Sequence, residues 1–251
     1  MLEVSLEGTT LILTLNDARR RNPLSGKLAA RLLSELDAVV NRNDVRAVVI
    51  TGAGGNFCSG GDFDDMPERD LAQWRDHFEG LMRFVRRIVT YPKPTVAAVE
   101  GWAAGAGLSL ACCCDMVVAA EDARFAYAFD KIGVLPDLGL SYTLPVRVGV
   151  TRARQIMIWG ENLDAAAAKA DGIVDRIAPK GRALDEAVRL ATTAAAGAPL
   201  PIAHMKPFLA KDMERALAFE VATAPVLFRT ADHAEGKAAF FEKRAPVFTG
   251  A

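Results

Sequence analysis

Apolar positions along the chain follow two rhythms, and the change from one to the other marks the elements. Leu2–Leu6 and Thr10–Leu15 are short runs of strand type joined at Glu7-Gly8-Thr9, where glycine supplies a turn, and they predict a hairpin. From Ser25 to Arg42, Leu28, Leu32, Leu33, Leu36, Val39 and Val40 recur every three or four residues, predicting an amphipathic helix with Ser25 as its N-cap. Val45–Ile50 predicts a buried strand that runs through Thr51-Gly52 into a glycine-rich loop reaching about Met66. A second helical pattern covers Arg69–Thr90 and ends at Tyr91-Pro92-Lys93-Pro94, where two prolines forbid continuation. Thr95–Val99 is a further strand, Gly101–Gly107 a small, glycine-rich segment, Leu108–Cys114 a short helix and Met116–Ala119 a strand. Helices are predicted at about Leu140–Val148, Thr151–Trp159, Asp164–Ala170 and Arg182–Ala196, with a strand near Ile173–Ile177.

Strands and helices therefore alternate over most of the chain, which predicts an α/β fold. After Ala198-Pro199-Leu200-Pro201 no strand is predicted, and helical periodicity runs through Phe208, Met213, Leu217, Phe219, Phe228 and Phe240. A boundary is placed there, giving a core of residues 1–197 and a helical tail of residues 198–251. A tail this short cannot build a large core alone, so it is expected to pack on the main body or on another subunit.

Composition narrows the function. The 251 residues carry 30 Lys and Arg against 31 Asp and Glu, so no basic excess is available for a nucleic acid backbone. Apolar stretches such as Trp102–Cys114 fall short of the ~20 residues that a membrane span needs. MLEVSLEGTT has neither a basic, then apolar export pattern nor an Arg-rich one, and a cytoplasmic protein is expected. Cys58 stands alone and Cys112, Cys113 and Cys114 are consecutive. No second Cys or His cluster sits at ligand spacing, so reduced, buried thiols are expected and no metal site.

Two glycine-rich segments each follow a predicted strand: Thr51 to Asp62, TGAGGNFCSGGD, and Gly101 to Gly107, GWAAGAG. Glycine lets backbone approach a ligand closely and turn its N–H groups outward; the plainer alternative is a tight strand-to-helix turn. Gly55 and Gly60 are followed by Gly61-Asp62 instead of Lys-Ser/Thr, so no phosphate-cradling loop is present. Phe57 stands where a dinucleotide fingerprint needs its third glycine. Gly107-Leu108-Ser109-Leu110-Ala111 nearly matches a nucleophile elbow, and a serine hydrolase would need His77, His204 or His233 as base, of which the usual order of serine, acid and histidine leaves the last two. Both histidines fall in the helical tail, outside any strand-end loop.

The two glycine segments together, in this order, resemble those of the crotonase, or enoyl-CoA hydratase/isomerase, superfamily. The resemblance also covers Leu15-Asn16-Asp17 through Leu24, Val48–Met66, Lys93–Gly149 and Thr230–Arg244. It implies a spiral of ββα units that binds an acyl-CoA thioester, with a helical C-terminal region that builds homotrimers and often hexamers. It implies no cofactor beyond the CoA of the substrate. It further implies that the backbone N–H groups of Gly61 and Ala106 hold the thioester oxygen as it becomes an enolate. Arg21 and Leu24 would lie near the adenine and pyrophosphate, the Ser59, Gly60 and Gly61 backbone along the pantetheine. Phe240 and Lys243 would come from the tail, of the same or a neighbouring subunit; Phe240 reads equally as core and Lys243 as a solvated charge.

Departures from the family pattern bear on the reaction. The two glutamates that activate water in the hydratases correspond to Ser109 and Phe129, neither of which is a carboxylate. Asp137, in Val134-Leu135-Pro136-Asp137-Leu138-Gly139, takes the place where an isomerase branch, including epoxyphenylacetyl-CoA isomerases, carries Asp or Glu. One carboxylate above an enolate moves a proton between carbons and shifts a double bond without water. Val134, Leu135, Leu138 and Leu140 are expected to raise its pKa by desolvation; the plainer reading of Asp137 is an N-cap for the following helix. Asp62 is expected to fix its loop by accepting backbone hydrogen bonds. The expected activity is conversion of a 3-enoyl-CoA to the 2-enoyl-CoA. The alternatives are an epoxyphenylacetyl-CoA-type isomerase, another hydratase or hydrolase of the fold, and a non-catalytic acyl-CoA-binding subunit.

Overall fold

The computed structural model describes residues 1–251. Its main sheet has six strands in the order β1-β2-β3-β4-β6-β9. These are β1 (Leu2–Glu7), β2 (Thr10–Leu15), β3 (Ala47–Gly52), β4 (Thr95–Val99), β6 (Met116–Ala120) and β9 (Arg176–Ala178). The hairpin β1–β2 is antiparallel and every other neighbouring pair is parallel. Parallel strands covered on both faces have no wet side, which is why Ala47–Ile50 and Thr95–Val99 read as unbroken buried runs without alternation.

Helix α1 (Gly26–Val39) starts where Ser25 Oγ accepts the Leu28 N–H at 3.1 Å, and it buries Ala29, Leu32, Leu36 and Val39. Helix α2 (Leu71–Val89) opens with a capping box between Asp70 and Gln73. It lays Trp74, Phe78, Met82, Val85 and Ile88 against the core, and past its end the Tyr91 hydroxyl donates to Leu36 O at 2.8 Å. Helix α3 (Ala106–Cys113) is buried on every side and begins two residues earlier than the pattern predicts, because its first turn is built of small residues. Helices α4 (Leu140–Val148), α5 (Val150–Trp159), α6 (Ala165–Asp171) and α7 (Ala183–Ala195) complete the core region.

A second, three-stranded sheet, β5-β7-β8, joins β5 (Trp102–Ala104), β7 (Arg124–Ala126) and β8 (Asn162–Asp164). The sequence pattern missed it, because three-residue strands of small residues carry no alternation. The strand expected at Ile173–Ile177 forms later, at β9. Ile173 and Val174 are buried, but their N–H groups return to Ala168 O and finish the turn after α6.

The tail forms α8 (Pro199–Leu209), α9 (Met213–Leu227) and α10 (Ala231–Glu242) and folds back on its own chain. Met213, Leu217, Val221 and Phe228 join the same apolar cluster as the sheet. Lys206 of α8 is buried and donates to the Asp115 carboxylate at 2.7 Å, while Lys237 of α10 donates to Met66 O at 3.0 Å. Phe208, Phe219 and Phe240 of the tail periodicity are exposed, along with Leu200, Met205 and Leu209. The four cysteines are free and buried, and burial pushes the Cys112 thiol up to about 11 and those of Cys58 and Cys114 to about 12. No helix is long and apolar enough to cross a membrane, and no group of three or more His, Cys, Asp or Glu side chains converges as a metal site.

Candidate active site

The two glycine-rich segments meet. Cys58 N–H donates to Trp102 O at 2.9 Å and Ala104 N–H to Cys58 O at 3.0 Å, so the first loop is paired to β5 like a short parallel strand. Gly107 sits directly under this contact, where a Cβ would come within 2.4 Å of Cys58 O, and only glycine allows α3 to start there. The first loop is also fastened to the segment before α1. Ser59 N–H donates to Arg21 O at 2.9 Å, Ser59 Oγ to Arg20 O at 3.0 Å, and Leu24 N–H to Gly60 O at 2.8 Å. Asn22, buried, spans the loop by donating to Ala53 O at 2.9 Å and Asn56 O at 2.7 Å while accepting the Asp17 N–H at 2.8 Å. Asp62 accepts the Asp64 N–H at 3.1 Å and the Arg20 guanidinium at 3.0 Å, the loop-fixing part expected of it.

Above this junction lies a cleft of about 620 Å³ bordered by Ser59, Gly60, Gly61, Ala106, Phe129 and Asp137. Arg19, Arg20, Arg21 and Lys131 stand on its wall, and Phe240 and Phe241 of α10 close it from the same chain, stacked on Phe63 at 4.7 and 5.4 Å. The N–H groups of Gly61 and Ala106 have no backbone acceptor, the latter because it opens α3, whose first turn leaves its donors free. Both donors border the cleft, and the one at the N-terminus of α3 favours negative charge placed beside it. Leu24 is buried and reaches only an inner extension of the cleft. Lys243 ends α10 in a left-handed conformation, is exposed, and does not border the cleft.

Asp137 lies in the turn before α4. The plainer reading, an N-cap for α4, does not hold: Gly139 is the N-cap, and no side chain caps the helix locally. Asp137 Oδ1 is buried without a hydrogen-bond partner. Loss of solvent, and next the negative charge of Glu220, push its carboxyl up to about 8. Glu220 itself, fully buried on α9, accepts the N–H of Gly139 at 2.9 Å, the N–H of Ser141 at 3.2 Å and the Ser141 hydroxyl. It thus satisfies from a distant helix the donors that a local N-cap leaves open here. Glu220 was not foreseen, although a signal existed: it stands on the stripe formed by Met213, Leu217, Val221 and Ala224, where a charged residue is out of place.

Other expectations find their places. Ser109 is buried inside α3, its hydroxyl donating to Gly105 O at 3.3 Å, and it does not reach the cleft. His204 is exposed on α8, and His233 donates through Nδ1 to Ile132 O at 2.9 Å. The serine hydrolase arrangement is therefore absent. Phe129 presents a ring to the cleft, packed against Tyr127 at 5.2 Å. Of the carboxyls on the wall, Asp62 and Asp64 are paired with Arg20, and Asp137 is the one without a cation.

The α/β core thus carries a cleft bordered by two free backbone donors and a buried acid with an unpartnered carboxyl oxygen. The chain belongs to the enoyl-CoA hydratase/isomerase family, whose profile it matches over residues 6–251. It is 36% identical over 253 residues to the 2,3-dehydroadipyl-CoA hydratase of Escherichia coli K12, covering 99% of this chain and 98% of that one. It is 33% identical over 255 residues to the 1,2-epoxyphenylacetyl-CoA isomerase of the same organism, covering 98% and 97%. The crystal structure of an enoyl-CoA hydratase from Mycobacterium avium subsp. paratuberculosis K-10 superposes with a TM-score of 0.89 at 32% identity, over 99% of this chain and 98% of the other. The crotonase-type fold implied by the sequence resemblance is thereby established.

Proposed function

We propose that this protein is an acyl-CoA isomerase that converts a 3-enoyl-CoA to the conjugated 2-enoyl-CoA. The observation that carries the reading is that Asp137 is the one carboxyl of the cleft free of a cation, while the hydratase glutamate positions hold buried Ser109 and the phenyl ring of Phe129. The Asp137 carboxylate takes a proton from C2, and the C–H electron pair becomes the enolate whose oxygen is held by the Gly61 and Ala106 N–H groups. Asp137 then returns the same proton to C4 as the double bond settles between C2 and C3. Atoms and charge balance without water or cofactor. Each backbone donor contributes roughly 3–4 kcal/mol in the transition state.

The CoA moiety is assigned to the open side of the cleft. Arg21 serves the adenine and pyrophosphate end, the Ser59–Gly61 backbone the pantetheine, and Phe240 the tail's share; Leu24, which faces the inner extension, and Lys243, which lies off the cleft, take no part on this side. The exposed Leu200, Met205, Phe208 and Leu209 of α8 support a helical region from residue 198 onward that assembles a homotrimer or homohexamer, to be read by light scattering. Buried free thiols fit a reducing, cytoplasmic setting.

A second reading is rearrangement of an epoxidised aromatic acyl-CoA, favoured by the similarity to the E. coli epoxyphenylacetyl-CoA isomerase and by the aromatic wall of Phe63, Phe129, Phe228 and Phe240. The test is to add 3-enoyl-CoA to the purified protein and follow the ultraviolet absorbance of the conjugated thioester, with Asp137→Asn alongside. A rise that the variant abolishes supports the isomerase. No rise, with acyl-CoA still bound, rejects it in favour of the epoxide reaction, a hydratase or hydrolase reaction, or a non-catalytic subunit.

A further inference from the structure

Beyond Asp137 the cleft narrows to an inner extension of about 30 Å³, walled by apolar Leu24, Phe78, Leu81 and Phe228 together with Asp65 and His77. Gly61, Ala106 and Asp137 border both spaces, so an acyl group with its thioester oxygen between the two backbone donors directs its far end into this extension. The volume admits about two water-sized groups, which limits the chain to a short one.

The polar side chains around the extension differ in what they have left to offer. Asp62 is held by Arg20 and the Asp64 N–H, and Asp137 carries the proton. Asp65 accepts the Gly26 N–H at 2.5 Å and lies 3.8 Å from Arg69, which itself stacks 4.6 Å above the Trp74 ring. Apart from Asp137 Oδ1, which the isomerisation uses, His77 is the polar side chain of the extension without a hydrogen-bond partner. Its ring packs edge-on between Trp74 and Phe78, both at 5.6 Å, and touches no hydrogen-bonding partner in the chain. It is pressed so close to the start of α1 that a Cβ on Gly26 would lie 3.0 Å from its Cε1 and 3.1 Å from Asp65 Oδ2. Burial, and next the Arg69 charge, lower its pKa against the opposing pull of Asp65, leaving a neutral imidazole with one donor and one acceptor.

A site that offers an unpaired hydrogen-bonding group rejects an apolar ligand end far more strongly than an apolar pocket rejects a polar one. We propose that His77 is a specificity-determining residue that hydrogen-bonds a neutral oxygen, hydroxyl or carbonyl, at the far end of a short acyl chain. Asp65 in the same wall disfavours a carboxylate there. The inference rests on the acyl-CoA reading above and names the substrate class within it.

The test uses saturated thioesters, whose binding needs no turnover. Calorimetric titration of the intact protein compares 4-hydroxybutanoyl-CoA with pentanoyl-CoA, 5-hydroxypentanoyl-CoA with hexanoyl-CoA, and glutaryl-CoA as the anionic control. The expected result is at least tenfold tighter binding of a hydroxyl-ended ligand than of its methyl-ended isostere, lost in His77→Leu and partly kept in His77→Gln. Equal binding of the two ends, an unchanged preference in His77→Leu, or tightest binding of glutaryl-CoA would overturn the role of His77 and leave the acyl-CoA reading standing. If none of the thioesters binds, the acyl-CoA reading itself falls, and this inference with it.

Discussion

Glu220 accepts the backbone N–H of Gly139 at 2.9 Å, two residues beyond Asp137, and so places a buried carboxylate directly behind the turn that carries the candidate base. The two acids are unequal. Glu220 has three donors aimed at it, which oppose the effect of burial and leave its carboxyl raised only to about 7. Asp137, with one oxygen unpartnered, rises to about 8. Tyr127 and Cys113 are the other titrating groups nearby, and both are pushed upward by burial, Cys113 well above its usual value.

The rate is expected to follow ionisation of Asp137. A base works as the carboxylate, so kcat/KM should rise with pH and level off above about 8, with roughly a tenth of the plateau at pH 7. Replacing Glu220 by Gln removes a negative charge while keeping the side-chain shape. The rising limb should then move to lower pH, by about one unit. Measuring pH profiles of both proteins checks this; an unmoved limb would mean that Glu220 serves the turn only as a hydrogen-bond acceptor.

Asp137 should also weaken the fold in alkaline solution. Its carboxyl is raised in the folded state, so the folded protein holds a proton that the unfolded chain has lost, and stability falls as pH rises from about 4 to about 8. Asp137→Asn carries no such penalty. It should lose turnover, retain acyl-CoA binding, and melt higher than the parent at pH 9, by on the order of a few kcal/mol, with the gap closing toward pH 4. Thermal melts at several pH values give the answer.

Ala106 allows a backbone donor to be removed by mutation. It is the first residue of α3, a position where proline fits a helix but carries no N–H. Ala106→Pro should fold with a melting temperature near that of the parent. Its kcat/KM should fall by roughly 100-fold or more, the usual effect of losing one oxyanion donor. Steady-state kinetics beside circular dichroism separates lost catalysis from lost structure.

Asn22 is expected to matter through the loop alone. Its side chain makes three bonds to backbone from a buried position, and Asn22→Ala leaves the Ala53 and Asn56 carbonyls and the Asp17 N–H without those partners. Denaturant titration should show a loss of about 1–3 kcal/mol, since part-buried backbone groups left unpaired cost about that much.

Local chemistry sufficed for much of this protein. The helices α1 and α2, with Ser25 and Asp70 at their starts and the prolines after Thr90, follow from spacing and capping, which act within a few residues. The glycine segments were visible as places where backbone approaches something closely. Set against the family pattern they resemble, the positions of Ser109, Phe129 and Asp137 separated the missing glutamates from the remaining acid. Tertiary structure decided what depends on distant partners. The sheet β5-β7-β8 exists because three-residue segments far apart in the chain supply one another's hydrogen bonds. Asp137 is a strongly raised acid, and not a helix cap, because it is buried with Oδ1 unpartnered while Glu220, more than eighty residues later, takes over the donors of α4 and adds its charge. His77 stands within the helical pattern of Arg69–Thr90; only the fold brings it to the inner extension of the cleft. Spacing governs what a residue does to its own helix, whereas burial and charge at a site are sums over neighbours that only packing brings together.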